Sequence, residues 1–237
     1  MKRSLALPLA LVGLVSLWPA MAALEAQPQQ QPAVQMPQPG VPEIFTLEGK
    51  FVRAAYNNEG YVILGYQATN RSVGEEWMLL EVGMTVMDGV DDYTLTRDKL
   101  SLEMPDGTTI PLPTIAEHRE GNTRPIENRA SVQRDSINYF PPRAANPCRI
   151  GFFADLSSRA RAYDQVELSS SRACLGRLFF RIPGGITYGQ YWLDVQFEQS
   201  LVRVPFRVLT EDEEKLLSKN YKDIKKQVED AFKKKGL

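Results

Sequence analysis

Few side chains in this 237-residue chain are equipped for chemistry. The one histidine, His118, lies in Glu117-His118-Arg119-Glu120. Carboxylates that near can orient an imidazole and raise its pKa, as a general base working near neutral pH requires. The nucleophile it would serve is missing. No serine sits in a G-x-S-x-G elbow, and the two cysteines, Cys148 and Cys174, are expected to be oxidised. His118 is therefore expected at the surface, without a catalytic role. Asp88, Asp91 and Asp92 make the densest acidic loop. Its oxygens suit a hard cation, but the spacing is not that of an EF-hand, and a polar turn accounts for it equally. Two carboxylates that converge in space can hydrolyse a glycosidic bond, whatever their spacing along the chain. There is no P-loop and no G-x-G-x-x-G. No catalytic residue, metal ligand or cofactor is assigned. Asn70-Arg71-Ser72 matches a glycosylation sequon. Beyond Trp18, the tryptophans are Trp77 and Trp192. On exposed strand faces, either would offer a flat ring to a sugar or a partner, so both are candidate ligand-binding residues.

Composition narrows the class. Hydrophobic residues make up 43% of the chain, which excludes a wholly disordered one. No second long apolar run follows the first, which excludes a polytopic membrane protein. A net charge of −1 argues against a nucleic-acid binder, whose affinity rests on basic residues at phosphates. One histidine and two cysteines exclude most metal sites built on those residues.

Residues 1–22 read as a secretory signal. Lys2 and Arg3 precede an apolar stretch from Leu5 to Leu17, and Ala20-Met21-Ala22 is an A-x-A cleavage site. The mature chain is then expected in the periplasm or outside the cell, with no membrane span once the signal is removed. In an oxidising compartment Cys148 and Cys174 have only each other. Their bridge closes a loop of about 27 residues, for which the chain-entropy model gives roughly 3.5 kcal/mol. Residues 23–43 are rich in proline and glutamine and read as a linker.

From residue 44 to 209 the pattern is that of β-strands, in one large or two small domains. Met78, Leu80, Val82, Met84 and Val86 alternate with Glu81, Gly83 and Thr85, the mark of a half-buried strand. Val62, Leu64, Tyr66 and Ala68 suggest another. Leu100, Leu102 and Met104 run into the turn Pro105-Asp106-Gly107 and return through Ile110 and Leu112. Tyr191, Leu193, Val195 and Phe197 pair as a hairpin with Val202, Val204, Phe206 and Val208, and Pro205 predicts an edge there. Leu178, Phe180 and Ile182 are expected as a third strand of that group. The stretch from Thr114 to Pro147 is polar and weakly patterned, with room for a short helix around Ile126 to Asp135. Residues 210–237 form an amphipathic helix. Thr210 and Glu213 make its capping box, and Leu217, Tyr221, Ile224, Val228 and Ala231 share one face. That face docks on its own domain or binds a partner, which makes Leu217, Tyr221, Ile224 and Val228 candidate partner-binding residues.

Charge is split along the chain. Residues 23–114 hold 13 acidic and 5 basic side chains, a net of −8. Residues 115–181 hold 7 acidic and 11 basic ones, a net of +4, and all eleven are arginine. Such a segment either meets an anionic partner or lies against the acidic half of the same molecule.

Gly189-Gln190-Tyr191-Trp192-Leu193-Asp194-Val195 and Val204-Pro205-Phe206-Arg207-Val208 resemble the last two strands of immunoglobulin-like modules of exported proteins. The resemblance covers about 20 residues and implies an all-β, immunoglobulin-like antiparallel sandwich followed by the C-terminal helix. Tyr191 is similar to the tyrosine at the corner entering the penultimate strand. The cysteines do not fall at the inter-sheet positions of antibody domains. Such folds host many functions. The expectation is an exported, non-enzymatic binding or structural protein that engages a protein partner through sandwich edges or the C-terminal helix. The alternatives are a binder of carbohydrate or envelope polysaccharide using Trp77 or Trp192, and a carboxylate-based hydrolase.

Overall fold

Gly49 and Lys50 begin a tight turn between Ile44–Gly49 (β1) and Val52–Tyr56 (β2), and the chain continues as an antiparallel meander through Gly60–Gly65 (β3) and Trp77–Val86 (β4). A computed structural model describes residues 44–154 and 161–234; the expected signal and linker lie outside them. β3 ends earlier than its alternation suggested. Tyr66 leads into a short helix, Gln67–Asn70 (α1), because the Asp135 carboxylate accepts the Gln67 main-chain N–H at 2.7 Å.

The chain then makes Tyr93–Thr96 (β5), Leu100–Glu103 (β6) and Thr109–Pro111 (β7). Gly107, at φ +83°, turns β6 into β7, and Asp106 Oδ1 accepts the Thr108 N–H at 2.9 Å. Two helices follow, Ile115–Glu120 (α2) and Arg124–Val132 (α3). Asn146–Ile150 (β8), Gln165–Leu168 (β9), Arg172–Arg181 (β10), Gly189–Gln196 (β11) and Leu201–Val208 (β12) complete the strands, and Glu211–Lys234 (α4) closes the chain.

The fold is mostly β. Six strands lie in the order β1-β2-β3-β4-β10-β8, four in the order β12-β11-β6-β7, and β5 pairs with β9. All pairings are antiparallel except β8 with β10. β11 and β12 form the expected hairpin, with Trp192 opposite Pro205, and β12 is an edge strand as Pro205 requires. The strand through Leu178 and Phe180 does not join them. It is β10, beside β4 in the other sheet, and β6 takes the place beside β11. Gly184 and Gly185, at φ +79° and +89°, redirect the chain between the sheets.

One core is shared by both sheets. It includes Leu64, Leu80, Met84 and Phe180 from the larger sheet and Leu102, Tyr191, Leu193 and Phe206 from the smaller. β4 is not half-buried: all ten of its residues are buried. Its second face is covered by the stretch that looked weakly patterned. Ile137 and Phe140 pack on Val52, Ala54 and Ile63. Glycines make that approach feasible. A Cβ on Gly83 would come within 2.7 Å of the Phe140 ring, and one on Gly65 within 2.7 Å of Asp135 Cβ. Gly83→Leu is therefore expected to lift this cover and cost about 1–3 kcal/mol in chemical denaturation, with a smaller loss in a Phe140→Ala background.

Cys148 and Cys174 are bonded, across a register pair of β8 and β10. Replacing both with alanine is expected to lower the unfolding free energy by about 3.5 kcal/mol under non-reducing conditions.

Candidate functional site

Glu81 stands on the covered face of β4, where most neighbours are apolar. A carboxylate so placed needs donors. Its side chain is only 8% exposed, and Oε2 accepts the Asp135 main-chain N–H at 3.0 Å. Register sets Arg177 of β10 directly opposite, and Arg134 descends from the segment after α3. Their guanidinium groups stand 3.6 Å and 3.5 Å from Oε1. Charge-assisted hydrogen bonds measure about 2.7–2.9 Å, so these are ion pairs without a close hydrogen bond.

Beside this cluster a cleft of about 300 Å³ opens over β10. Leu175, Phe179 and Ile150 give it an apolar floor, and Arg134, Ile137, Arg149 and Phe153 belong to the same lining. Arg149 lies next to Leu175 in the β8–β10 register, is exposed, and has no ion pair among the described residues. Three carboxylates share the lining: Glu81, Glu127 and Asp135. Glu127 accepts a hydrogen bond from the Thr123 hydroxyl at 2.6 Å. The Asp135 carboxyl is pushed up to about 6 by burial, with Glu81 adding to the effect and the Gln67 N–H and Arg53 opposing it. The converging acids that a hydrolase needs are thus adjacent here, but both hold up the fold: Glu81 anchors the Asp135 main chain and Asp135 anchors Gln67.

His118 is not a surface residue. It is 6% exposed, on α2, and packs at tilted angles with ring centroids 4.5 Å from both Phe153 and Phe179, with Trp77 edge-on at 6.0 Å. Among the described residues its Nε2 is buried without a hydrogen-bond partner. The neighbouring carboxylates do not raise its pKa. Burial, helped by Arg97, lowers it to about 4. His118 therefore backs the aromatic wall of the cleft as a neutral ring.

The tryptophans are not brought together. Trp77 is 4% exposed and packed against Gly121 and His118, so the expected open face is absent. Its strand face is the one that α2 and α3 cover. Trp192, in the other sheet, is half-buried, and the Arg203 guanidinium lies over its ring at 5.1 Å. Asn70 is also unavailable for modification: it is buried, and its Oδ1 accepts the Leu209 N–H at 2.6 Å. Asp88 pairs with Arg143 at 2.6 Å, and among the described residues no three metal-ligating side chains converge.

The helix stripe falls where its spacing placed it. Leu217, Tyr221, Ile224 and Val228 are all half-buried. Leu217 packs on the core, the Tyr221 hydroxyl donates to the Leu47 carbonyl at 3.3 Å, and Lys225 pairs with Glu48 at 3.4 Å. The Thr210–Glu213 capping box is made, and Arg71 grips Glu214 with two hydrogen bonds of 2.6 Å. At least the first half of α4 is spent on its own domain.

Five of the eleven arginines are ion-paired within the molecule. Arg129, Arg134, Arg143, Arg177 and Arg181 reach back to Glu75, Glu81, Asp88, Glu81 and Glu76. Sequence reasoning missed the cleft residues Glu81, Asp135, Arg149 and Arg177 as a group. The one available signal was a glutamate in the middle of an apolar strand.

No protein-family model matches the chain, and neither a curated protein nor a solved structure matches it.

The pH dependence of His118 follows from its lowered pKa. Above about 6.5 the ring is neutral whether the chain is folded or not. As pH falls from 6.5 towards 4, only the unfolded chain takes the proton, so stability drops by up to about 1.4 kcal/mol per pH unit. Below 4 the difference is complete. Asp135 acts with the opposite sign between about 6 and 4, since its raised pKa lets the folded chain bind the proton first. His118→Phe keeps a flat ring and leaves Asp135 alone. Urea denaturation from pH 7 to 4 is expected to show a shallower acid loss in the variant than in the parent.

Proposed function

We propose that this chain is an exported, non-enzymatic binding protein that engages a protein partner at one edge of its larger sheet. The observation that carries the reading is the cleft beside edge strand β8. There Arg134 and Arg177, ion-paired with Glu81 but making no close hydrogen bond to it, and the exposed Arg149 line the cleft beside an apolar floor. Guanidinium groups with an apolar surround are a common anchor of protein interfaces. The remaining acids of the cleft are engaged in holding backbone and side chains, which favours recognition over acid–base chemistry.

Export is supported by the Cys148–Cys174 bond, and among the described residues no helix is long and apolar enough to cross a membrane. An immunoglobulin-like sandwich is the finer fold reading. It draws on Tyr191, whose hydroxyl donates to the Thr187 carbonyl at 3.0 Å and accepts the Thr187 N–H at 3.1 Å, four residues upstream. The uninterrupted β1-β2-β3-β4 meander departs from the interleaved strand order of those domains. The edge is favoured over α4 because Leu217 and Tyr221 already serve the chain's own contacts. The carbohydrate alternative is less favoured, since Trp77 is buried and Arg203 lies over the Trp192 ring.

The test immobilises the mature chain and challenges it with envelope extract from its host. Leu175→Arg fills the cleft at a position already 38% exposed, so the fold should survive. A protein retained by the parent and by Ile224→Lys, and lost with Leu175→Arg, is the expected result. Loss with Ile224→Lys alone returns the site to α4, and retention of polysaccharide in place of protein overturns the reading.

A further inference from the structure

Within the cleft the acids and the bases differ in how well they are satisfied. Glu81 accepts the Asp135 N–H, Glu127 the Thr123 hydroxyl and Asp135 the Gln67 N–H. The guanidinium groups of Arg134, Arg149 and Arg177 donate no hydrogen bond to any described residue. A cationic ligand would meet carboxylates already engaged and three like charges. An anionic one would meet the unpaired fork of Arg149 and the guanidinium groups of Arg134 and Arg177, which are ion-paired with Glu81 without a hydrogen bond to it; such forks match a carboxylate in two-point contact.

Size narrows the ligand further. About 300 Å³ is at the bottom of the range of roughly 300–1,000 Å³ for small-molecule sites. It suits one residue rather than a polymer passing through. The apolar floor of Leu175, Phe179 and Ile150 lies within the same small volume as the arginines. The ligand must therefore present an apolar group and a carboxylate from almost the same point. The last residue of a polypeptide does so, because its side chain and its terminal carboxylate leave one Cα. An internal aspartate or glutamate would require the chain to enter and leave.

We infer that the cleft receives the C-terminal carboxylate of a partner chain whose last side chain is apolar. The inference rests on the binding reading above and names the chemistry of that same site. The carboxylate takes N–H donors from Arg149 and from Arg134 or Arg177, and the side chain lies on Leu175 and Phe179.

The probes are N-acetyl-phenylalanine, its amide, and two pentapeptides. One pentapeptide ends in a free phenylalanine carboxylate; the other ends in an amide and carries its carboxylate on an internal glutamate. Binding is read by isotope-edited NMR of the full mature chain. The acid and the free-ended peptide are expected to shift the amides of residues 149–153 and 175–179 saturably. The amide and the internal-glutamate peptide should bind about tenfold more weakly, the difference of one charge-assisted contact. Arg149→Gln, an exposed position, should weaken the acid about fivefold or more and leave the amide unchanged. Equal binding of acid and amide overturns the inference, as does equal binding of the two peptides or no effect of Arg149→Gln. If any of these occurs while a protein is still captured by the parent and lost with Leu175→Arg, the binding reading stands and only the carboxylate end falls. If capture is also absent, both fall.

Discussion

A charge in the middle of a buried strand governs the architecture around it. Glu81 is flanked along β4 by Leu80 and Val82 and is largely withdrawn from water. An unpaired carboxylate there would cost far more than the few kcal/mol that separate a folded domain from an unfolded one. Its partners must come from elsewhere in the chain, and they come from residues 134, 135 and 177. Bringing the first two into place means laying the stretch after α3 across the sheet. Once laid, that stretch packs Ile137 and Phe140 on β2 and β3 and brings the Phe140 ring over Gly83 of β4. The cover and the ion cluster thus depend on each other, and the cleft is the space left where the cover stops short of β8.

The same logic extends outward with weaker interactions. Arg129, Arg143 and Arg181 join the basic segment to Glu75, Asp88 and Glu76. The last two pairs are well exposed, and each such pair contributes little by itself. Their value is geometric: they bring the basic and acidic halves of the chain together at fixed positions. The charge split along the sequence is in part an internal complementarity, and Arg149 stands outside it.

What could be seen in the sequence was local. The β11–β12 hairpin, the turn at Asp106-Gly107, the Thr210 capping box and the helix stripe each depend on residues a few positions apart. The disulfide needed only the count of cysteines. What could not be seen depends on which face of a strand is later covered. Alternation along β4 correctly separates Glu81, Gly83 and Thr85 from the core-facing residues, but period-2 alternation cannot tell solvent from a second layer. The surface expected for His118, and the open face that ligand binding at Trp77 would need, fail for the same reason. His118 is the buried residue of α2 and Trp77 lies against it, and neither α2 nor α3 carries enough apolar residues to advertise a buried side. β10 joined the wrong group in sequence because Gly184-Gly185 reads equally well as a hairpin turn and as a passage between sheets.

The bond between Cys148 and Cys174 has a further consequence for β8. An edge strand held only by a few main-chain hydrogen bonds opens far more often than the rest of a domain, and its amides exchange with solvent through that fraying. Here the strand's middle residue is tied covalently to a neighbour in β10 that is fully buried. Opening of β8 then has to strain or carry β10 with it, and β10 is paired along its length with β4. The amides of the cleft wall are thereby moved from the exchange class of a frayed margin towards that of the central strands. That is an uncommon property for a sheet edge, and it keeps Arg149 in position through fluctuations that would otherwise scatter it.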